Sequence, residues 1–497
     1  MSTNSQITNI QDAEIRSKVD RSLRHPVMFF FTSGAAWLAL SIIFGLVASW
    51  KTHNPGFLGE CSWLQYGRLF PTHINLLIYG WGAQASFGVM IWLMARLSRK
   101  PSRNAGTILA AGHVWNFAVG LGMIGILSGH GTGKHWMNFP TFVWPVLLVA
   151  YAAIAIWVLV TFRVRRSEPV FISQWYLLGA LFWFPWVFLT ANLFVNVFDI
   201  HPVMAAAING WFRHALIFLF FTPVAIASAY YISAKVTGRS IYNSTIATGG
   251  FWALAIVAPW AGMQSVMGSP LPDFLEYVGA AASILVAVPL IIAGANILKT
   301  SANTEGAVAH SPSLRFTIAG TFGMLLLAFS AVVLGFPSSI QYTQFTIANY
   351  GFDVLALYGF FTMTMFGAIY FIVPRVTLRE WVFKRWMRTH FWFSVYGVLF
   401  IFLFCVLLGG FQQGAVQREH LQPWESVVRS SLPFSVGTTV AWGFLLFANV
   451  FFFLHLTLMW LRLGRRSSHP TLLNRPHGHG TPHGPEGDIE KLESAGA

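Results

Sequence analysis

Twelve long apolar stretches run through this sequence, at residues 27–49, 71–96, 105–128, 139–163, 171–198, 203–231, 244–266, 278–298, 315–336, 346–373, 391–412 and 432–463. Each is long enough to cross the roughly 30 Å hydrocarbon core, which takes about 20 apolar residues as a helix. Backbone polar groups find no water in lipid, so runs with this little period-two alternation predict helices rather than barrel strands. The connecting segments are short, roughly 5 to 20 residues, which predicts antiparallel neighbours. Only 10% of the 497 residues are charged and 55% are apolar, against about 25% charged in a soluble chain. A soluble enzyme and a disordered chain are both excluded, and almost no extramembrane domain is left over.

Charge placement tests the count of twelve. If alternate loops face alternate sides, 25 lysines and arginines fall with the termini and only Lys51, Arg68, Lys134, Arg418 and Arg429 fall opposite, with Arg213 inside a helix. One missed or extra crossing would mix the two sides, and the positive-inside rule then predicts that both termini are cytoplasmic. The net charge of +14 therefore belongs to loops at a membrane, and no nucleic-acid partner is implied. Residues 1–26 read as a polar cytoplasmic segment, 27–463 as the membrane domain and 464–497 as a disordered His, Pro and Gly-rich cytoplasmic tail. In that tail His469, His477, His479 and His483 are either solvated or weak transition-metal donors. Cys61 and Cys405 form no paired metal motif and leave the redox compartment open.

Ionisable residues at membrane depth are costly and informative. They are His73, His113, Arg213, His214, Asp353 and His455. Taken singly, each histidine is more readily a packed hydrogen-bonding residue than a ligand. No phosphate-cradling loop, Cys/His zinc spacing or nucleophile elbow accompanies them. So few buried carboxylates also argue against an ion-coupled transporter.

Local strings narrow the reading. YGRLFPTHIN at 66–75, WFRHALIF at 211–218, WAGMQSVMGSPLPDF at 260–274, GAIYFIVPR at 367–375, HFWFSVYGVLF at 390–400 and GGFQQG at 409–414 together resemble the catalytic subunit of cbb-type haem-copper oxidases. The resemblance implies an all-α polytopic membrane protein, a twelve-transmembrane-helix haem-copper oxidase subunit I bundle. It implies further a bacterial inner membrane, surrounding lipids and other membrane subunits of a respiratory complex as partners. It also places His73 at a low-spin haem ligand position and His214 at the first copper ligand position.

The remaining ligand positions of that family have changed. Its adjacent histidine pair, which completes a three-imidazole copper site, corresponds here to Gln264 and Ser265. Its two helix-ten histidines, at i and i+2 and so about 200° apart on the helical wheel, correspond to Phe352 and Val354. Neither side chain has a lone pair. Asp353 between them points about 100° away from either position. No tyrosine occurs between Tyr242 and Tyr277, where the family's redox-active tyrosine is expected, and Phe218 stands where nitric oxide reductases carry a glutamate. The expectation is a divergent, redox-silent relative acting as a subunit or scaffold of a respiratory membrane complex, with no copper and at most a residual haem on His73. The alternatives are a working terminal oxidase or nitric oxide reductase, and a quinone or small-molecule binder using the vacated cavities.

Overall fold

The computed structural model describes residues 3–102, 104–166, 170–419 and 423–467. Twelve helices long and apolar enough to span a membrane form among them: α1 (Glu14–Lys51), α2 (Tyr66–Ser98), α3 (Ala105–Leu127), α4 (Val143–Arg163), α5 (Ile172–Val197), α6 (Pro202–Thr237), α7 (Ser244–Val266), α8 (Asp273–Thr300), α9 (Pro312–Gly335), α10 (Ile347–Thr377), α11 (Lys384–Arg418) and α12 (Trp424–Trp460). The all-α bundle and its count of twelve agree with the apolar runs. Short helical turns at Glu305–His310 and Pro337–Thr343 lie between crossings.

The boundaries follow local chemistry. Asn243 Oδ1 accepts from the Ile246 amide at 2.9 Å to open α7, and Ser311 Oγ accepts from Leu314 at 3.3 Å to open α9 ahead of Pro312. Such side-chain oxygens satisfy amides that a first helical turn leaves without partners. Gly238, at φ +70°, ends α6 in the left-handed conformation. The first helix itself starts at Thr3 and runs through Pro26, so the polar N-terminal segment is continuous with it. Val19 and Leu23 are buried, and Asp20 takes a bond from Trp92 Nε1 at 2.9 Å and pairs with Arg96 at 3.0 Å. The tail histidines lie outside the described residues.

Loop contacts sort the connections into two faces. On one, Arg68 donates to Leu127 O at 2.9 Å, Asn209 to His135 O at 2.8 Å, and Gln344 to Ser265 O at 3.2 Å. On the other, the face of the termini, Arg166 bonds the end of α2 at Ser98 and Glu380 bonds Arg465. α1 packs on α2 and on α12, α3 on α4, α8 on α9, α9 on α10, and α11 on α12. Three helices, α2, α6 and α10, are buried on all sides, whereas the rest bury one face and turn the other outward. Those three carry His73, His214 and the Phe352/Val354 pair.

Each central helix also changes its winding just past these residues. Segments with i→i+5 hydrogen bonding occupy Leu76–Gly82 in α2, Ile217–Phe221 in α6 and Leu355–Thr362 in α10. Such widened turns are rare and concentrate at functional sites. No proline lies inside these three segments, and the same winding recurs at Leu193–Val197 in α5 and Phe402–Gly409 in α11.

Candidate functional site

His73 is fully buried. Its Nδ1 lies 2.8 Å from the Ser41 carbonyl and 3.1 Å from Ser41 Oγ. A carbonyl partner requires that Nδ1 carry the proton, which leaves a lone pair on Nε2. Nε2 has no partner. This is how a metal-binding histidine is oriented by its outer neighbours. Gly45 of α1 is needed for it: a Cβ there would lie 2.7 Å from Nδ1. Trp442 of α12 and Tyr350 of α10 stand edge-on to the ring at 4.7 and 6.5 Å.

A second group surrounds His214, whose Nδ1 donates to its own helix at Gly210 O, 3.1 Å away. The segment carrying Gln264 and Ser265 approaches α6 backbone to backbone. A Cβ on Gly210 would fall 1.9 Å from Ser265 Oγ, and one on Gly262, which holds φ +110°, would fall 2.6 Å from Gly210 O. The positions matching a copper site in the sequence are thus brought together, but with other chemistry. The Gln264 amide oxygen accepts from Gly262 N at 2.8 Å and its Nε2 donates to Ser283 Oγ at 2.5 Å. Ser265 Oγ is buried without a partner. The Phe352 ring lies 5.7 Å from the imidazole of His214, and Phe218 stands one turn further along α6 at 6.3 Å. What remains open among them is a cavity of ≈ 40 Å³, room for water but far below the roughly 300–1,000 Å³ of a cofactor or drug-sized site.

Asp353 takes a role that residue spacing alone did not show. It is turned to Arg213 of α6 at 3.4 Å and to His135 of the loop after α3 at 3.2 Å. One carboxylate thereby ties three elements together, while its Oδ1 stays unpartnered. Beside His135, Lys134 donates to the Val195 carbonyl and to Asn196 Oδ1 at 2.9 Å, and burial lowers its ammonium pKa from the usual lysine value. The other histidines separate from this region. His113 is exposed on the outer surface of α3 against Phe29, and His455 accepts from the Phe383 amide at 3.2 Å near the face of the termini.

Two buried polar residues were not singled out from the sequence. Glu276 opens α8 with its carboxylate taking bonds from Gly268 N at 2.8 Å and Ser269 N at 3.2 Å, which anchors the loop behind Ser265. His390 accepts or donates through Nδ1 to Tyr370 OH at 2.9 Å. Both lie just outside the apolar runs, at positions 276 and 390 against run starts of 278 and 391, and run boundaries alone hide them.

The residues present do not fit the cofactors of a haem-copper centre. At the copper position one imidazole faces an amide already bonded on both ends, a hydroxyl and a guanidinium. At the positions that the resemblance matches to haem ligands, the side chains of Phe352 and Val354 have no lone pair for iron, whereas His73 has one on Nε2. Among the described residues, no group of three or more His, Cys, Asp or Glu side chains is placed to hold a metal.

Comparison with known proteins sets this site in context. The family model for cytochrome c and quinol oxidase polypeptide I matches residues 25–444. The cytochrome c oxidase subunit 1 homolog, bacteroid, of Bradyrhizobium diazoefficiens is 24% identical over 430 residues, 82% of this chain and 76% of the relative. The cbb3-type cytochrome c oxidase subunit CcoN1 of Stutzerimonas stutzeri is 23% identical over 402 residues, covering 78% of this chain and 82% of its own. Among solved structures, a heme-copper terminal oxidase determined as a dimer by cryo-EM aligns with a TM-score of 0.69 at 14% identity, over 95% of this chain and 89% of the other.

Proposed function

This chain belongs to the cytochrome c and quinol oxidase polypeptide I family, and from that premise we propose that it is a redox-silent member serving as a structural subunit of a respiratory membrane complex. It is an integral membrane protein homologous to cytochrome c oxidase subunit I. One observation carries the reading: the place beside His214 is occupied by Phe352 and closed to ≈ 40 Å³. Fold likeness alone does not argue for catalysis, because function resides in the site. The vacated centre also lacks the space that a quinone or small-molecule binder would use there.

A second reading has its own support in the unpartnered Nε2 of buried His73. That atom suits a one-sided bond to haem iron, and burial of a porphyrin is itself favourable. Haem and copper content measured together on protein purified from its own membranes tests both. The structural reading expects sub-stoichiometric haem and copper. A sharp low-spin band at stoichiometric haem, or about one copper per chain lost on His214→Ala, overturns it. Five-coordinate haem lost on His73→Ala establishes the second reading instead.

A further inference from the structure

On the side of α10 turned away from His214, a groove of about 690 Å³ opens where α9, α10 and α11 meet near the face of the termini. Its floor is a close helix crossing. A Cβ on Gly323 would lie 2.1 Å from Gly359 O, so α9 and α10 meet backbone to backbone and no side chain fills the space above. Ile318, Phe322, Leu326, Trp392, Val395 and Leu399 form the walls, and Phe322, Trp392 and Leu399 are exposed on the outer surface. From Arg315 to Leu326 the lining follows α9 for eleven residue steps, about 16 Å at 1.5 Å each. That equals roughly one leaflet, half of a 30 Å hydrocarbon core.

The mouth of the groove is cationic. Arg315 lines it, donating to the Ala309 carbonyl with its guanidinium carbon 5.6 Å from the Phe391 ring centre. Arg388 is exposed on α11 one turn ahead of Trp392 and three residues before Phe391, the ring over which Arg315 lies. Neither makes an ion pair with a carboxylate among the described residues. Two like charges left together above an apolar slot call for an anion with a long apolar body. We propose that this groove holds one anionic phospholipid, its phosphate between Arg315 and Arg388 and an acyl chain along the Gly323 floor. Basic pockets between membrane helices bind anionic headgroups in this way. A neutral quinone would gain nothing from the two guanidiniums, and free phosphate nothing from the slot.

The test is native mass spectrometry of the delipidated full-length protein in mild detergent, supplied with equal amounts of phosphatidylglycerol and phosphatidylcholine. Retention of one phosphatidylglycerol per chain is expected, with a preference of about 25-fold from two basic groups. In Arg315→Gln/Arg388→Gln the preference falls to near parity. Ala319→Phe, which fills the floor and leaves both arginines, abolishes retention of either lipid. Should that variant fail to fold, the surface charge pair still decides the matter. Equal retention of the two lipids by the native chain, a preference unmoved by the arginine substitutions, or a quinone analogue held in place of phosphatidylglycerol each overturns the proposal.

Discussion

Replacing Arg213 with methionine leaves the Asp353 carboxylate buried without its main counter-charge. The side chain of Asp353 is 1% exposed and that of Arg213 11%, so water replaces little of what is lost. Removing one partner of a buried pair costs about 3–5 kcal/mol. Here His135 remains 3.2 Å from the carboxylate and can still donate to it, which puts Arg213→Met near the lower end, about 3 kcal/mol. Asp353→Leu strands the guanidinium and should cost a similar amount. The double variant removes both charges from the same low-dielectric space and should lie within about 1 kcal/mol of the native chain, because an ion pair exchanged for apolar volume is often neutral. Unfolding in dodecylmaltoside and SDS mixed micelles, followed by tryptophan fluorescence, supplies the four free energies. The cycle should show a coupling above about 2 kcal/mol. Single effects that add to within about 0.5 kcal/mol refute the assignment of the pair as the tie between α6 and α10.

Phe352→Ala should cost about 3–5 kcal/mol in the same assay, as truncation of a buried phenyl does, and should leave haem content unchanged; a neutral effect with haem uptake would mean the ring guards a pocket. Reporter fusions near Lys100, Arg166 and Lys384 should read cytoplasmic and those near Lys134, Ser269 and Arg418 external, and any adjacent pair reading the same side breaks the twelve-crossing topology. A structural subunit with so little outside the membrane should co-purify with another membrane protein after mild extraction, and recovery of monomer alone counts against that role.

The bundle was legible because its cause is local in sequence. A run of twenty apolar residues cannot be anything but a span, and alternate loops carry the basic residues. The positions 73, 214, 264 and 265 were singled out for a different reason, since each sits inside a string that resembles a known family, whereas 352 and 354 came from counting back from the string ending at Pro374-Arg375; the structure brings 214, 264, 265 and 352 around one cavity. Partnerships across the fold left no such trace. Arg213 and His135 stand 140 and 218 positions from Asp353, and nothing in spacing or periodicity joins them. The widened turns were equally hidden, as Leu76–Gly82 reads only as a continuous apolar run. The apolar groove depends on Gly323 meeting Gly359 across two helices, a contact that two isolated glycines do not announce.

An unfilled cofactor-sized space at the centre of a packed bundle carries a large energetic cost. An empty site at the small end of the ligand range, about 300 Å³, would cost about 7 kcal/mol at roughly 24 cal/mol per Å³ of residual cavity. That is comparable with the whole stability of a typical folded domain, about 5–15 kcal/mol, so a chain of this family that stopped binding its cofactors could not leave their place vacant. The cavity beside His214, at ≈ 40 Å³, costs only about 1 kcal/mol on the same scale. Phe352 fills space beside His214, and the Arg213–Asp353 pair supplies polar contacts along the same wall. The widened turns after His73, His214 and Val354 lie in the three helices that are packed on all sides. A bundle whose centre is filled by its own side chains needs no cofactor for its stability, which is the condition that the proposed structural role requires.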